Sequence, residues 1–400
     1  MSYSGNFGEV DSLITPIDGP YKELHQLDKT ISAENHSSRD LICFSHLRWH
    51  FVCQRPQHLM ARFARDFRIF FIEEPLEATS STPSLDVHWV EPGIRILVPR
   101  LPSLGSRRDI EKAQRVLLDR YFAKEDVKSP VLWYYTPMSL GFSDHLSASA
   151  VVYDCMDELS AFRGAPPDIV DRERTLMRRA DVVFTGGYSL FEAKRGLHSN
   201  VHAFPSSVEV AHFATARAAL AEPDDQVLLP RPRLGFYGVI DERFDIDLIG
   251  TVARVRPDWQ LVMIGPVAKI DPATLPHLPN IHYLGSKGYQ ELPAYLAGWD
   301  VALLPFALNE ATRFISPTKT PEYLAAGRPV VSTPITDVVR TYGDTGLVRI
   351  ARGSDDFITA IEQALRDKDA DWLAHVDRLL ADMSWDATWG HMKELIECVA

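Results

Sequence analysis

The feature that most restricts how this chain can fold is the alternation of short apolar runs with amphipathic helical patterns. Runs of this length are typical of strands buried on both faces, and patterns such as "RPQHLMARFARD" between them are typical of helices. Strands joined by helices predict a parallel sheet built from βαβ units. In the first half of the chain the apolar runs are "DLICFS" (40–45), "FRIFFIEEP" (67–75), "GIRILVPR" (93–100), "PVLWYYT" (130–136), "AVVYDC" (150–155), "DVVFTGG" (181–187) and "VHAFPSS" (201–207).

The same alternation starts afresh after "AEPDDQVLLPRPR", a proline-bearing and acidic stretch typical of a linker. Because 400 residues are too many for one compact core, we predict two consecutive doubly wound α/β domains whose strand ends face one cleft. The second set of runs is "LGFYGVI" (234–240), "WQLVMIGP" (259–266), "IHYLGS" (281–286), "DVALLPF" (300–306), "RPVVSTP" (328–334) and "TGLVRIA" (345–351). The predicted parts are an N-terminal arm (1–39), an N-terminal domain (40–215), a C-terminal domain (233–375) and a C-terminal helical segment (376–400) that packs back across the junction.

Composition excludes several classes of protein. A formal net charge of −12 argues against a general nucleic-acid binder, which needs an excess of clustered Lys and Arg. Four scattered cysteines without a CxxC pair, and no secretory leader, argue against a disulfide framework or a zinc site and favour the reducing cytoplasm. No run of about 18 apolar residues occurs, so we expect no spanning helix, while contact with a membrane surface stays open.

The stretch "FISPTKTPEYLAAGRPVVSTP" places a lysine at the start of a predicted helix. We predict that this helix begins near Pro321, with Thr320 as its N-cap. Lys319 and the free N–H groups of the first turn would then bind a phosphate or diphosphate. Glu322 would accept hydrogen bonds from the hydroxyls of a ribose, or it would only complement the helix dipole.

A second candidate for phosphate binding is the loop in "GFYGVIDERFD". Gly238 would let the backbone approach a ligand closely, and Arg243 could bind phosphate oxygens from the side opposite Lys319. The alternative is a glycine at a strand end followed by a solvated arginine.

The N-terminal domain offers polar residues for a second substrate. The loop "SHLRWHFVCQRPQHLMARF" carries large polar groups, and Trp49 could stack on a sugar ring or pack in the core. The residues assigned to an acceptor are Arg48, Trp49, His50, Arg55 and Gln57. Asp154 and Asp157 follow a buried strand, where a carboxylate could act as a general base, although Asp157 could instead cap a helix. In "GGYSLFEAK", Gly186, Gly187 and Ser189 open a helix that could meet an anion or a sugar hydroxyl.

We expect no metal ion. Asp245 and Asp247 look like a ligand pair but lie at the start of a predicted helix, and divalent cations need several converging oxygens. Arg243 and Lys319 would already neutralise a diphosphate.

These motifs together resemble the glycosyltransferases of the GT-B fold, in particular the group 1, family 4-like class. The matching stretches are "FPSSVEVAHF" (204–213), "FYGVIDERFD", "HYLGSKGYQELPAYLAGWDVALLPF" and "SPTKTPEYLAAGRPVVSTP". The resemblance implies transfer of a sugar from a nucleotide-diphosphate sugar to a hydroxyl of a polysaccharide, glycolipid or other glycan precursor, with retention of configuration and no cofactor. Polysaccharide or cell-envelope biosynthesis would be the setting. A nucleotide-sugar epimerase and a non-catalytic sugar-nucleotide binder are the alternatives.

The resemblance also assigns roles to residues. Arg243 and Lys319 would bind the diphosphate and promote its departure, Glu322 would bind the ribose, and Tyr289 would contact the base. Where the family often has a glutamate, eight positions before Glu322, this chain has Phe314. The donor sugar is therefore assigned to the nearby "NEATR". The full donor set is Gly238, Arg243, Tyr289, Asn309, Glu310, Thr312, Arg313, Ser316, Thr318, Lys319, Thr320 and Glu322.

Four arginines on or beside the helix pattern "QRPQHLMARFARDFR" suggest a contact with anionic lipid, which would suit a lipid-linked acceptor and a location at the inner face of the membrane. The alternative is that they pair with nearby acids. They are Arg55, Arg62, Arg65 and Arg68.

Overall fold

The structure is a computed structural model that describes residues 39–103, 105–367 and 371–400. The predicted N-terminal arm lies outside these residues except for Arg39. The described residues form two β-sheets, one of nine strands and one of six. Both sheets carry helices on their faces, so the predicted α/β class is confirmed.

The first sheet has the order β3-β5-β2-β1-β6-β7-β8-β9, with β4 paired to β5. Its strands are β1 (Arg39–Phe44), β2 (Phe67–Ile72), β3 (Leu76–Glu77), β4 (Ser84–Glu91), β5 (Ile94–Leu101), β6 (Val131–Tyr134), β7 (Ala150–Cys155), β8 (Val182–Thr185) and β9 (Val201–Ala203). All pairs are parallel except β4 with β5. The sequence pattern missed β3 and β4 because they lie at the sheet edge, where "SLDVHWVE" keeps polar residues.

Helices cover both faces of this sheet. They are α1 (Arg55–Phe63), α2 (Arg107–Lys124), α3 (Leu140–Ser143), α4 (Ile169–Arg179) and α5 (Tyr188–Lys194). The next helix, α6 (Val210–Ala214), packs instead in the second domain, where its Phe213 belongs to the core. On one face Phe63 of α1 packs in a cluster with Leu41 and Trp133. On the other face Leu118 of α2 and Leu176 of α4 pack in a second cluster. This division explains why the strands are buried on both sides.

The predicted linker contains a short helix, α7 (Asp224–Val227), that is tied to the second domain. Gln226 is fully buried. Its Nε2 donates to the carbonyl of Tyr295 at 3.0 Å, and its Oε1 accepts from Nε1 of Trp299 at 2.8 Å. The linker is therefore a packed part of the second domain.

The second sheet is parallel and has the order β12-β11-β10-β13-β14-β15. Its strands are β10 (Arg233–Tyr237), β11 (Gln260–Ile264), β12 (Ile281–Tyr283), β13 (Val301–Leu304), β14 (Val330–Ser332) and β15 (Val348–Ile350), and its helices are α8 (Ile246–Val255), α9 (Leu292–Ala297), α10 (Lys319–Ala325), α11 (Thr336–Val338) and α12 (Gly353–Arg366). Counted within the domain, the order is 3-2-1-4-5-6, that of a dinucleotide-binding sheet. The strand order reverses between β10 and β13, which is where such sheets bind ligands.

Two further helices end the chain, α13 (Trp372–Leu380) and α14 (Trp385–Glu397). Val376 of α13 packs in the core of the second domain, whereas Trp385 and Ile396 of α14 pack in the core of the first. The prediction that the C-terminal segment packs back across the junction is therefore confirmed.

None of the helices in the described ranges is both long enough and apolar enough to cross a membrane.

Candidate active site

Two loops of the second domain meet at the reversal of strand order. One follows β10 and carries Gly238 and Arg243, and the other follows β13 and leads to Lys319 at the start of α10. The helix begins at Lys319, earlier than predicted. The expected N-cap role of Thr320 is therefore wrong, because Thr320 lies inside the helix and is fully buried. Its hydroxyl has no hydrogen-bond partner within the described part of the chain. Thr318 occupies the cap position, but its side chain makes no cap hydrogen bond.

The side chain of Lys319 lies against the backbone of Gly238. A Cβ atom at Gly238 would lie 2.0 Å from Cε of Lys319, and the φ of Gly238 is 140°. The positive φ favours glycine here, and the absence of a side chain leaves room for Lys319. Burial and the nearby Arg243 lower the pKa of Lys319. A buried lysine beside another cation favours binding of an anion, because a bound phosphate would stabilise the charged ammonium group of Lys319.

Glu322 lies one helical turn after Lys319 and is 7% exposed. Its Oε2 accepts a hydrogen bond of 2.5 Å from the hydroxyl of Tyr237, at the end of β10. Burial raises the pKa of Glu322 to about 7, although Tyr237 and Lys319 both oppose this rise. The carboxyl group of Glu322 therefore lies close to Lys319. This position suits a residue that binds the ribose hydroxyls of a nucleotide whose diphosphate lies at Lys319.

Arg243 is held by Asp241 of the same loop. Nε of Arg243 lies 3.0 Å from Oδ1 of Asp241, and Nη2 lies 2.7 Å from Oδ2. Its guanidinium also lies 5.4 Å from the ring of Phe162, which belongs to the first domain. The pair with Asp241 fixes the direction of the guanidinium, and the contact with Phe162 places it at the surface between the domains.

Asp157 faces these cations from the first domain. It is half-buried in the loop after β7, and burial raises its pKa while the charges of Arg243, Lys269 and Lys319 lower it. The next residue, Glu158, forms an ion pair with the buried Lys194, in which Oε2 of Glu158 lies 2.6 Å from Nζ of Lys194. Asp157 therefore lies on an anchored loop opposite the predicted diphosphate site.

Asp154 was predicted to share this role, and the structure contradicts that prediction. Asp154 is fully buried, and its two carboxylate oxygens each accept a bond of 2.9 Å from Arg55. Arg55 is 2% exposed and also donates to the carbonyl of Phe204 at 2.6 Å. This ion pair joins α1 to β7, so neither residue can bind an acceptor.

The other predicted acceptor residues mostly shape their own loop. Trp49 is buried against Phe71, with ring centroids 5.1 Å apart, so it cannot stack on a sugar. Gln57 donates to the carbonyls of Trp49 and Val52 at 2.8 and 3.0 Å.

Arg48 pairs with Glu73 at 3.0 Å. Only His50 of the predicted acceptor set is exposed.

The "NEATR" segment forms a turn closed by its own side chains, which contradicts most of its predicted contact with the donor sugar. Thr312 is buried, and its hydroxyl donates to the carbonyl of Ala307 at 2.5 Å. Asn309 accepts from the backbone N–H of Thr312 at 3.2 Å and donates to the carbonyl of Glu242 at 3.0 Å. Arg313 points to solvent beside Glu310, 3.7 Å away.

Tyr289 lies near the same site but is packed between side chains. Its ring stacks on His212 with centroids 4.7 Å apart, and His58 meets it edge-on at 5.4 Å. Its hydroxyl is buried without a hydrogen-bond partner among the described residues. The predicted contact of Tyr289 with a base stays a prediction, and it could not use the ring face that His212 covers.

The helix start in "GGYSLFEAK" is occupied by the second domain. Oδ1 of Asp337 accepts from the backbone N–H of Ser189 at 3.0 Å, and a Cβ atom at Gly187 would lie 2.2 Å from Oδ2 of Asp337. Arg340 and Glu192 form an ion pair of 2.7 Å beside this contact. The predicted anion site is therefore a contact between the domains.

The arginines of the predicted basic helix face pair with acids, which was the alternative to a lipid contact. Arg62 pairs with Glu209 and Asp386, and the exposed Arg65 pairs with Asp386 as well. Arg68 pairs with Asp40 at 2.7 Å. Arg55 is buried, and each of the other three arginines has an acidic partner.

Sequence reasoning missed several residues at the cleft. Tyr237 and Asp241 lie in the quoted stretch "GFYGVIDERFD" but make contacts that only the fold reveals. His46 follows β1 and Lys269 follows β11. Their positions after strands could have predicted from the sequence that they lie at the cleft. Among the described residues, no group of three or more His, Cys, Asp and Glu side chains is arranged to hold a metal ion.

Comparisons with known proteins agree with this architecture. Residues 231–367 match the family model of the Glycosyl transferases group 1. TuaH of Bacillus subtilis (strain 168), a candidate glycosyltransferase of teichuronic acid biosynthesis, is 31% identical over 222 residues, which are 50% of this chain and 55% of TuaH. The chain thus spans about half the length of this curated relative.

Two solved structures resemble the whole fold. The sucrose-phosphate synthase of Thermosynechococcus elongatus is 15% identical with a TM-score of 0.67, over 89% of this chain and 98% of its own. The E. coli trehalose-6-phosphate protein bound with UDP-2-fluoro glucose is 12% identical with a TM-score of 0.65, again over 89% and 98%.

The protein therefore has the GT-B fold, in which two Rossmann-like domains face one cleft. Residues 231–367, in the C-terminal domain, are similar to the group 1 glycosyltransferases, the class that the motifs of this chain resemble.

Proposed function

We propose that this protein transfers a sugar from a nucleotide-diphosphate sugar to a hydroxyl group of a glycan or glycolipid precursor. The observation that carries the proposal is the position of Lys319 and Arg243 on the two loops that flank the reversal of strand order, with Glu322 one turn away. A UDP-sugar analogue is bound to a structural neighbour of the same fold.

The residues present suggest how the leaving group would be stabilised. Negative charge grows on the nucleoside diphosphate as the glycosidic bond breaks, and preorganised cations stabilise that charge more than they stabilise the substrate. Lys319 and Arg243 would do this, while Glu322 would bind the ribose. Asp157, on the opposite wall, would accept a hydrogen bond from the acceptor hydroxyl or the donor sugar.

We further propose that the reaction retains the anomeric configuration and needs no metal ion, as the family resemblance implies. The acceptor would belong to polysaccharide or cell-envelope synthesis, in line with the relationship to TuaH. We place the reaction in the cytoplasm because the four cysteines are unpaired thiols.

The test is binding followed by turnover. UDP, GDP and ADP are titrated by calorimetry, and we expect one of them to bind the wild type. Lys319→Ala should lower kcat/KM for transfer, and the fall should correspond to a loss of about 2–4 kcal/mol of transition-state stabilisation, the range for one preorganised charge. The exposed Lys112→Ala on α2 is the control and should behave like the wild type.

Release of nucleotide that depends on an added glycan extract supports transfer. Release of a changed sugar nucleotide without acceptor would indicate an epimerase, and binding without any turnover would indicate a non-catalytic binder.

A further inference from the structure

The first domain has its own reversal of strand order, between β1 and β6, and a polar side chain with one unpaired ring nitrogen lies there. β2 flanks β1 on one side, whereas β6 and the later strands continue on the other. His46 lies in the loop after β1, and Tyr135 follows β6. Nδ1 of His46 is buried and has no hydrogen-bond partner among the described residues. Ligands of open α/β sheets bind at such points, so this unpaired nitrogen marks a polar position on the acceptor side.

Lys269 of the second domain reaches toward this position. It lies in the loop after β11, is exposed, and has a φ of 61°, which is uncommon for a residue with a side chain. Its Nζ lies 5.3 Å from the ring centroid of Phe162 in the first domain. No carboxylate of the described residues lies within ion-pair distance of Lys269, whereas Arg243, on the same ring, is paired with Asp241.

The contact with Phe162 places Lys269 at the cleft, and its charge acts on groups in three loops of the first domain. Burial and the charge of Lys269 together lower the pKa of His46 to about 4, although a hydrogen bond with the backbone of Tyr135 opposes the change. The same charge opposes the burial that raises the pKa of Glu74 and of Asp157. These residues follow β1, β2 and β7, which all end at the cleft. Lys269 is therefore a cation of the second domain that faces the acceptor half.

We propose that Lys269 and His46 form a subsite for an anionic group, a phosphate or a carboxylate, carried by the acceptor. Lys269 would supply the charge, and the neutral imidazole of His46 would supply a hydrogen bond to the same group or to a neighbouring hydroxyl. Lys319 and Arg243 remain with the donor diphosphate. The inference rests on the proposed function and adds to it the chemical class of the acceptor.

The test separates this subsite from the donor site. The wild type is first saturated with the nucleoside diphosphate that binds best, and its thermal midpoint is measured with inorganic phosphate, with glucuronate and with neutral glucose. Because a ligand of the native state raises the midpoint by mass action, we expect phosphate, glucuronate or both to raise it and glucose not to. The anion that acts distinguishes a phosphate-bearing from a carboxylate-bearing acceptor.

Three variants complete the test. Lys269→Ala should abolish the anion-dependent shift, Lys269→Arg should keep most of it, and Lys112→Ala should keep all of it. The dissociation constant of the nucleoside diphosphate should change less than about twofold in Lys269→Ala, against about tenfold or more in Lys319→Ala.

A Lys269→Ala variant that loses nucleotide affinity as Lys319→Ala does would overturn the inference and assign Lys269 to the donor. A shift that persists in Lys269→Ala, or the absence of any shift from either anion, would also overturn it. Failure of the wild type to bind any nucleotide is a different result, since it refutes the proposed function itself.

Discussion

The buried pair of Arg55 and Asp154 supports a quantitative prediction, because its sequence interpretation and its structural role lead to opposite results. In the variant Arg55→Met, two hydrogen bonds of 2.9 Å to Asp154 are lost, together with the bond of 2.6 Å to the carbonyl of Phe204. Asp154 then remains fully buried without a counter-charge. If these residues served an acceptor, the variant would fold normally and lose only transfer.

The size of the loss follows from the cost of an unpaired buried charge. Removing one partner of a buried ion pair costs about 3–5 kcal/mol. A shift of about 3 pKa units for a fully buried carboxyl group corresponds to about 4 kcal/mol, which agrees. We therefore expect Arg55→Met to lower the free energy of unfolding of the first domain by about 3–5 kcal/mol at pH 7. The exposed pair of Arg100 and Asp86 is the control, and Arg100→Met should cost at most about 1 kcal/mol.

The pH dependence provides a second check. Burial already raises the pKa of Asp154, although Arg55 opposes the rise, and removal of Arg55 would raise it further. The folded variant then binds a proton more tightly than the unfolded chain does. The loss of unfolding free energy in Arg55→Met should therefore be largest at neutral pH. It should become smaller as the pH falls toward the pKa of the aspartate in the unfolded chain.

The measurement is urea unfolding followed by circular dichroism at several pH values. The double variant Arg55→Met with Asp154→Asn should recover part of the stability, because no charge is left unpaired. An Arg55→Met protein with the wild-type urea midpoint and a selective loss of acceptor-dependent turnover would refute the structural role.

Two further predictions concern the donor site. Because the pKa of Glu322 in the folded protein, about 7, lies above its unfolded value of 4.5, its stabilising effect is fully present below pH 4.5 and is lost as the pH rises through 7. As the pH rises from 4.5 to 8, the free energy of unfolding of Glu322→Gln should therefore increase relative to that of the wild type by up to about 3 kcal/mol in urea unfolding. A difference in unfolding free energy that does not change with pH would contradict the assignment. The proposed metal-free reaction should keep its full rate in excess EDTA, whereas loss of activity that Mg²⁺ or Mn²⁺ restores would show that a cation takes part.

The order of the main strands could be anticipated from local pattern because each strand is an uninterrupted apolar run buried on both faces. The runs around "AVVYDC" and "DVALLPF" correspond to β7 and β13, within a residue or two at each end. The edge strand β4 could not be found this way, since one of its faces stays in water and its residues alternate irregularly.

The candidate site was predicted more unevenly. Gly238, Arg243, Lys319 and Glu322 were predicted as site residues because each follows a recognisable strand, and strand ends of a parallel sheet meet at one edge. The structure brings their two loops together at the reversal of strand order. Asp154 fitted the same rule and was misassigned. It is the last but one residue of β7, so its side chain still points into the domain, whereas Asp157, three residues later, has left the strand.

The sequence by itself determined the two-domain α/β organisation and the loops that could carry chemistry, because strand burial, helix periodicity and glycine positions are local properties of the chain. Only the tertiary structure decided which charged groups are free to act. Arg55 meets Asp154 across 99 positions, Asp337 meets Ser189 across 148, and Arg62 meets Asp386 across 324. An ion pair depends on distances of a few ångströms between distant segments, and the spacing of residues along the chain does not contain those distances.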